Sequence, residues 1–132
     1  MPTGKSLVDN FEAGGIAAPI DLETGTLGTA VAKNPCRYNL THHPDSGAPI
    51  DGFVMPFFRE SLQAALTAHA CFPWVPFVGW DVVVTNHGPQ LLEANPDWGV
   101  ELAQIVTDVP LGKTRYPEIY LEHLDAQSRR PV

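Results

Sequence analysis

The chain has 132 residues, 44% hydrophobic and 17% charged, with a formal net charge of -7. That length suits a single domain, residues 1–132, built round one core. The acidic balance excludes a binder of nucleic-acid backbones, which needs a basic surface, and no apolar run approaches the roughly 20 residues of a membrane-spanning helix.

Thirteen prolines and eleven glycines imply short elements and frequent turns. The first six residues carry no secretory signal pattern, and Cys36 and Cys71 make no disulfide framework, so reduced cysteines used for packing in a cytoplasmic protein are expected.

Residues 15–22 lead into the turn Glu23-Thr24-Gly25, and residues 26–31 lead out, which reads as an antiparallel hairpin. A second turn signal at Pro44–Gly47 separates residues 37–41 from 50–54, so the N-terminal half is expected to be an antiparallel meander. Phe58, Leu62, Ala65, Leu66 and Phe72 then follow helical spacing between Pro56 and Pro73, predicting a helix that packs one face on a sheet.

Residues 77–84 and 89–94 read as two strands about Asn86-His87-Gly88, apolar on both faces and therefore expected at the centre of a sheet. A weaker helix is expected from about Gly99 to Val109 and a last one from Pro117 through about Leu124, with a frayed tail at Arg129–Pro131. The fold class expected is α+β, mostly antiparallel sheet with packed helices.

The hairpin carries the chemistry. With Asn86-His87-Gly88 as a three-residue loop and Gly88 at positive φ, Thr85 faces Pro89 and Asp81 lies opposite Glu93; a five-residue loop gives the same pairing. A two- or four-residue loop would send the carboxylates to opposite faces. Directly opposed residues have Cβ atoms about 4.5–5.5 Å apart, where like charges destabilise unless a cation lies between them. Asn95, two residues past Glu93, shares that face. Two carboxylates and an amide oxygen suit a hard cation, and so few protein ligands suit magnesium, which takes the rest of its shell from water and phosphates.

Residues 78–95, VGWDVVVTNHGPQLLEAN, resemble the magnesium hairpin of ATP-grasp enzymes, an aspartate on one strand and Glu-x-Asn on the next. The segments VDNFEAGG at 8–15 and HPDSG at 43–47 resemble the branch called sugar-transfer associated ATP-grasp. The resemblance implies the C-terminal lobe of that fold, with Asp81, Glu93 and Asn95 holding Mg2+ against ATP. It implies that Leu92 touches adenine, although an apolar strand residue also reads as core. The expected reaction activates a carboxylate as an acyl phosphate for capture by an amine or a sugar-linked acceptor. No side chain need act as general base, and no catalytic residue is assigned. Because the family's phosphate-contacting lysine belongs to a first lobe that would precede this segment, the expected partners include such a lobe or a second copy of the chain.

Asp9, Asn10, Gly14 and Gly15 could border the nucleotide, or form a turn that satisfies its own backbone. His43 and Asp45 could orient substrate, or serve the Pro-Asp-Ser-Gly turn. The five histidines include no helical pair at zinc spacing. Cys71 reads as core, and Trp80, alternating with Asp81, as packing against a helix. Two other functions compete: a non-catalytic assembly module derived from the same fold, and a small hydrolase using His43 and Asp45.

Overall fold

The computed structural model describes residues 1–4, 11–33 and 36–129. It is α+β, with two antiparallel sheets and three α-helices among the described residues. The chain divides into two compact units, Met1–Pro56 with Ile105–Thr107, and Phe57–Gln104 with Asp108–Val132.

In the first unit, strands β1 (Ile16–Ala17), β2 (Ala30–Ala32) and β3 (Arg37–Leu40) form a sheet in that order. β1 pairs with β2 through Ile16↔Ala32, and the hairpin narrows to the bridge Ile20↔Leu27, as the turn residues imply. Asp21 fixes that turn: its Oδ1 accepts from the backbone N–H groups of Glu23 and Thr24, at 3.0 and 2.7 Å, and from the Thr24 hydroxyl at 2.8 Å. These bonds favour the charged carboxylate, the Thr24 hydroxyl contributing most, and hold the Asp21 carboxyl below its ordinary value. Gly25 closes the turn at φ 74°, a conformation that disfavours a Cβ. The second hairpin follows, with the bridge His42↔Pro49, and the isolated bridge Thr26↔Val54 ties the chain after it to the turn of the first hairpin.

The core lies here. Ile16, Ala30, Ala32 and Ile50 are buried together, with Met1, Ala18, Leu27 and Leu40 packed against them. Burying an isoleucine contributes about 1.5–3 kcal/mol, so Ile16 and Ile50 are the largest apolar terms in this cluster.

In the second unit, helix α1 (Phe58–His69) packs against a two-stranded ladder of β4 (Gly79–Thr85) and β5 (Gly88–Asn95). The helix ends four residues before Pro73, so Phe72 falls outside it, in a turn made by Phe72 N–H donating to the His69 carbonyl at 2.8 Å. The half-buried face of α1 is Phe58, Ser61, Ala64, Ala65, Ala68 and His69, whereas Leu62 and Leu66 are exposed. The small face lets the helix approach the ladder, and the expected packing through the leucines is corrected accordingly. The ladder is also no central pair. Trp80, Val82 and Val84 are half-buried while Asp81 and Val83 are exposed, so among the described residues one face is uncovered.

Helix α2 (Val100–Thr107) stops where Asp108 adopts the left-handed conformation, φ 54°, two residues before Pro110. A 3-10 turn at Leu111–Lys113 precedes α3 (Tyr116–Ser128), which has Pro117 in its first turn. Of the tail, Arg130 and Pro131 lie outside the described residues. No helix of the described residues is long and apolar enough to cross a membrane. Both cysteines are free and exposed, so neither serves as core packing.

Candidate functional site

The β4–β5 hairpin turns more tightly than its sequence suggests. Thr85 pairs with Gly88, leaving Asn86 and His87 as a two-residue turn, and the positive φ falls on Gly88, at 110°. Thr85 braces it: its hydroxyl donates to the Gly88 carbonyl at 2.8 Å and accepts from His87 N–H at 3.1 Å. In an uninterrupted ladder this register would put Leu92 opposite Asp81 and turn Glu93 to the helix side.

A bulge reverses that outcome. Val82 pairs with Leu91 but Asp81 pairs with Glu93, so Leu92 is the extra residue, and the register beyond it places Trp80 opposite Ala94 and Gly79 opposite Asn95. The two carboxylates therefore face each other as expected, by a route the loop alone would have forbidden. The adjacent apolar pair Leu91-Leu92, which breaks the alternation between Gln90 and Glu93, is the sequence signal that marks the bulge.

Asp81 and Glu93 are both exposed, and neither carboxylate has a hydrogen bond or ion pair among the described residues. The exposed ion pairs of the chain include Lys33–Glu12 at 2.8 Å and Arg115–Glu118 at 3.3 Å, neither of which involves the two hairpin carboxylates. Asn95 is half-buried on the same strand face as Glu93. Among the described residues no group of three or more His, Cys, Asp or Glu side chains is arranged to hold a metal ion. The hairpin set is a different kind, two carboxylates completed by an amide, and its uncompensated, all-oxygen character fits a hard cation that retains most of its own waters.

Gly79, at the start of β4, sets the position of the segment after β5. A Cβ there would lie 2.6 Å from Trp98 Cβ and 3.7 Å from the Asn95 carbonyl, so only glycine admits this approach. Trp80 turns to the opposite side from Asp81, its ring 6.5 Å from Phe72, and its indole N–H is buried without an acceptor among the described residues.

The remaining positions fall in both units. Leu92 is 69% exposed, which corrects its reading as core. Asp9 and Asn10 lie outside the described residues. Gly15 is buried, and Gly14, at φ 96°, donates to the Phe11 carbonyl at 3.3 Å while its own carbonyl accepts from the Thr3 hydroxyl at 2.6 Å. His43 accepts at Nδ1 from the N–H groups of Asp45 and Ser46, both at 3.3 Å, which puts its proton on Nε2, where it donates to the Pro2 carbonyl at 2.9 Å. Asp45 accepts from Gly4 N–H at 2.6 Å. These polar atoms fasten the N-terminal residues to the turn within the first unit, whereas Asp81, Glu93 and Asn95 belong to the second.

A family model described as sugar-transfer associated ATP-grasp matches residues 1–115. No curated protein and no solved structure matches the chain.

Proposed function

Because the chain belongs to the sugar-transfer associated ATP-grasp family, we propose that it forms the magnesium-ATP-binding part of a carboxylate–amine ligase. Asp81, Glu93 and Asn95 would hold the ion, and Leu92, exposed beside them, would meet adenine. Magnesium, when bound, neutralises phosphate charge and fixes its geometry. The chain's own contribution is to hold three oxygen ligands on one rigid strand pair, which is positioning and electrostatics without a covalent nucleophile. The carboxylate substrate is activated by phosphorylation and captured by an amine or a sugar-linked acceptor.

The observation that carries this reading is the Asp81↔Glu93 pair, two exposed like charges placed opposite one another with no cationic side chain of the described residues paired with either. Such a pair costs roughly 0.2–1 kcal/mol, reduced by screening, so the metal-free protein gains nothing from it. Glu93→Gln should therefore melt at the parent's temperature or slightly above. A ligand present at ten times its dissociation constant stabilises the folded state by about 1.4 kcal/mol, so magnesium at that level should raise the parent's melting temperature by a few degrees. Glu93→Gln and Asp81→Asn should gain much less, and monovalent salt at matched ionic strength should not substitute. A strongly destabilised Glu93→Gln with an intact magnesium response would sink the assignment.

The second reading, a non-catalytic module that docks a partner, is favoured by the exposure of Leu66, Leu92 and Leu121, at 57, 69 and 64%. It expects no difference between parent and variants in magnesium.

A further inference from the structure

The β4–β5 ladder has two outer edges, and its register fixes which backbone groups each one presents. Thr85 and Gly88 close a two-residue turn and so exchange hydrogen bonds, and the pairs alternate from there along an antiparallel ladder. Val83 turns its N–H and C=O towards Gln90, whereas Val84 and Val82 turn theirs away from β5, and beyond the bulge Trp80 does the same. Among the described residues none of these three outward sets has a hydrogen-bond partner.

The two edges differ. On β5 the outward position opposite Val84 is Pro89, which has no N–H to offer, and the bulge at Leu92 interrupts the strand further along. A proline and a bulge are both devices that block an edge against pairing. Strand β4, Gly-Trp-Asp-Val-Val-Val-Thr, contains no proline, lysine or extra residue, and four of its seven residues are β-branched. A two-stranded ladder is marginal by itself, and β4 is the edge able to accept another strand.

We propose that this strand is β4 of a second copy of the chain, paired antiparallel about a two-fold axis at Val82, so that two ladders become one four-stranded sheet. The outward groups of residues 80, 82 and 84 are spaced evenly about Val82, and this axis matches each outward donor to an outward acceptor: Val82 meets the second copy's Val82, and Trp80 meets its Val84. On this half-buried face the contacts are aromatic with β-branched, a favourable cross-strand combination. On the exposed face Asp81 meets the second copy's Val83, so no like charges lie directly opposite. An axis at Asp81 would set the two Asp81 carboxylates face to face, and an axis at Val83 would leave Trp80 opposite the turn residue Asn86. A contact between two seven-residue strands lies at the small end of protein interfaces, so the dimer is weak, with a dissociation constant on the order of 100 μM.

Sedimentation velocity of the full chain, without metal or nucleotide, should show a reversible monomer–dimer step between low-micromolar and near-millimolar concentration. Hydrogen exchange followed by NMR should find the Val82 and Val84 amides fast in the monomer and slowed in the dimer. Val83 tests the register, because its side chain is exposed and its backbone bonds stay within the hairpin. Val83→Glu puts an acid opposite the second copy's Asp81 and should weaken the dimer by about two- to tenfold, whereas Val83→Lys puts a cation there and should hold or tighten it. Loss of the valine alone would move both variants in the same direction. A strict monomer at the highest concentration, equal weakening by the Glu and Lys variants, or slow exchange of the outward amides in the monomer, the mark of another segment of the chain on this edge, would each overturn the proposal.

Discussion

The two units use similar amounts of chain in opposite ways. The first, round β1–β3, buries Ile16, Ala30, Ala32 and Ile50 at 6% exposure or less, and its polar side chains are spent on turns, as in the bonds of Asp21 and His43. The second buries no large apolar side chain fully among the described residues, yet it carries the opposed carboxylates and the outer edge of β4. The difference separates two jobs. A small buried sheet supplies cooperativity, and a lightly packed hairpin presents unpaired groups outward, which is the usual place for ligand chemistry because such groups cannot be satisfied internally.

The largest expected effect tests the first half of this comparison. Ile50→Ala should lower stability by about 2–5 kcal/mol, since it removes a buried branched side chain from a core with few others to collapse inward. Leu66→Ala, on the exposed side of α1, should stay within about 0.5 kcal/mol. Equal losses in urea melts of the two variants would erase the distinction between the units.

A smaller effect should appear in the second unit at Gly79. Gly79→Ala forces a Cβ into Trp98, where backbone and ring base must both move, for a cost of about 1–3 kcal/mol. The displaced segment includes Asn95, so the variant should also lose part of its magnesium stabilisation. A melting temperature like the parent's, with an intact magnesium response, would mean that Trp98 has an alternative seat.

The bulge offers a sharper test. Deleting Leu92 removes the extra residue and leaves a regular ladder in which Asp81 still faces the glutamate. The magnesium shift of about 1.4 kcal/mol at tenfold excess should survive the deletion, whereas nucleotide affinity should fall if the leucine covers adenine. Loss of the magnesium shift itself would show that the bulge, beyond restoring register, aims the ligands.

The smallest effect belongs to the first unit. Hydrogen bonds from Thr24 and then from Glu23 depress the folded pKa of Asp21, so the carboxylate adds stability above the ordinary carboxylate range and loses it as pH falls through the lowered value, where the unfolded chain has already taken up a proton. A carbon-detected NMR titration of the Asp21 carboxyl should show the low midpoint, and Thr24→Val should move it upward. An unchanged midpoint in that variant would assign the depression to the backbone N–H groups alone.

The sequence by itself determined the fold class, both N-terminal hairpins, the three helices to within a few residues, and the presence of two acids and an amide on a strand pair. These follow from local chemistry: Gly25 and Gly88 at positive φ, prolines near helix starts, and alternation along strands. Only the tertiary structure decided which faces were covered. Periodicity says that Leu62 and Leu66 lie together, and equally that Ala64, Ala65 and Ala68 do; closeness of approach to the ladder selected the alanines. The same reason left Cys36, Cys71 and Leu92 outside, because an apolar residue is buried only where a partner surface reaches it. The pairing of Asp81 with Glu93 depends on two features, a tight turn and a bulge, whose register effects cancel; a strand's hydrogen-bonding ladder fixes each of them, and spacing along the chain specifies only their sum.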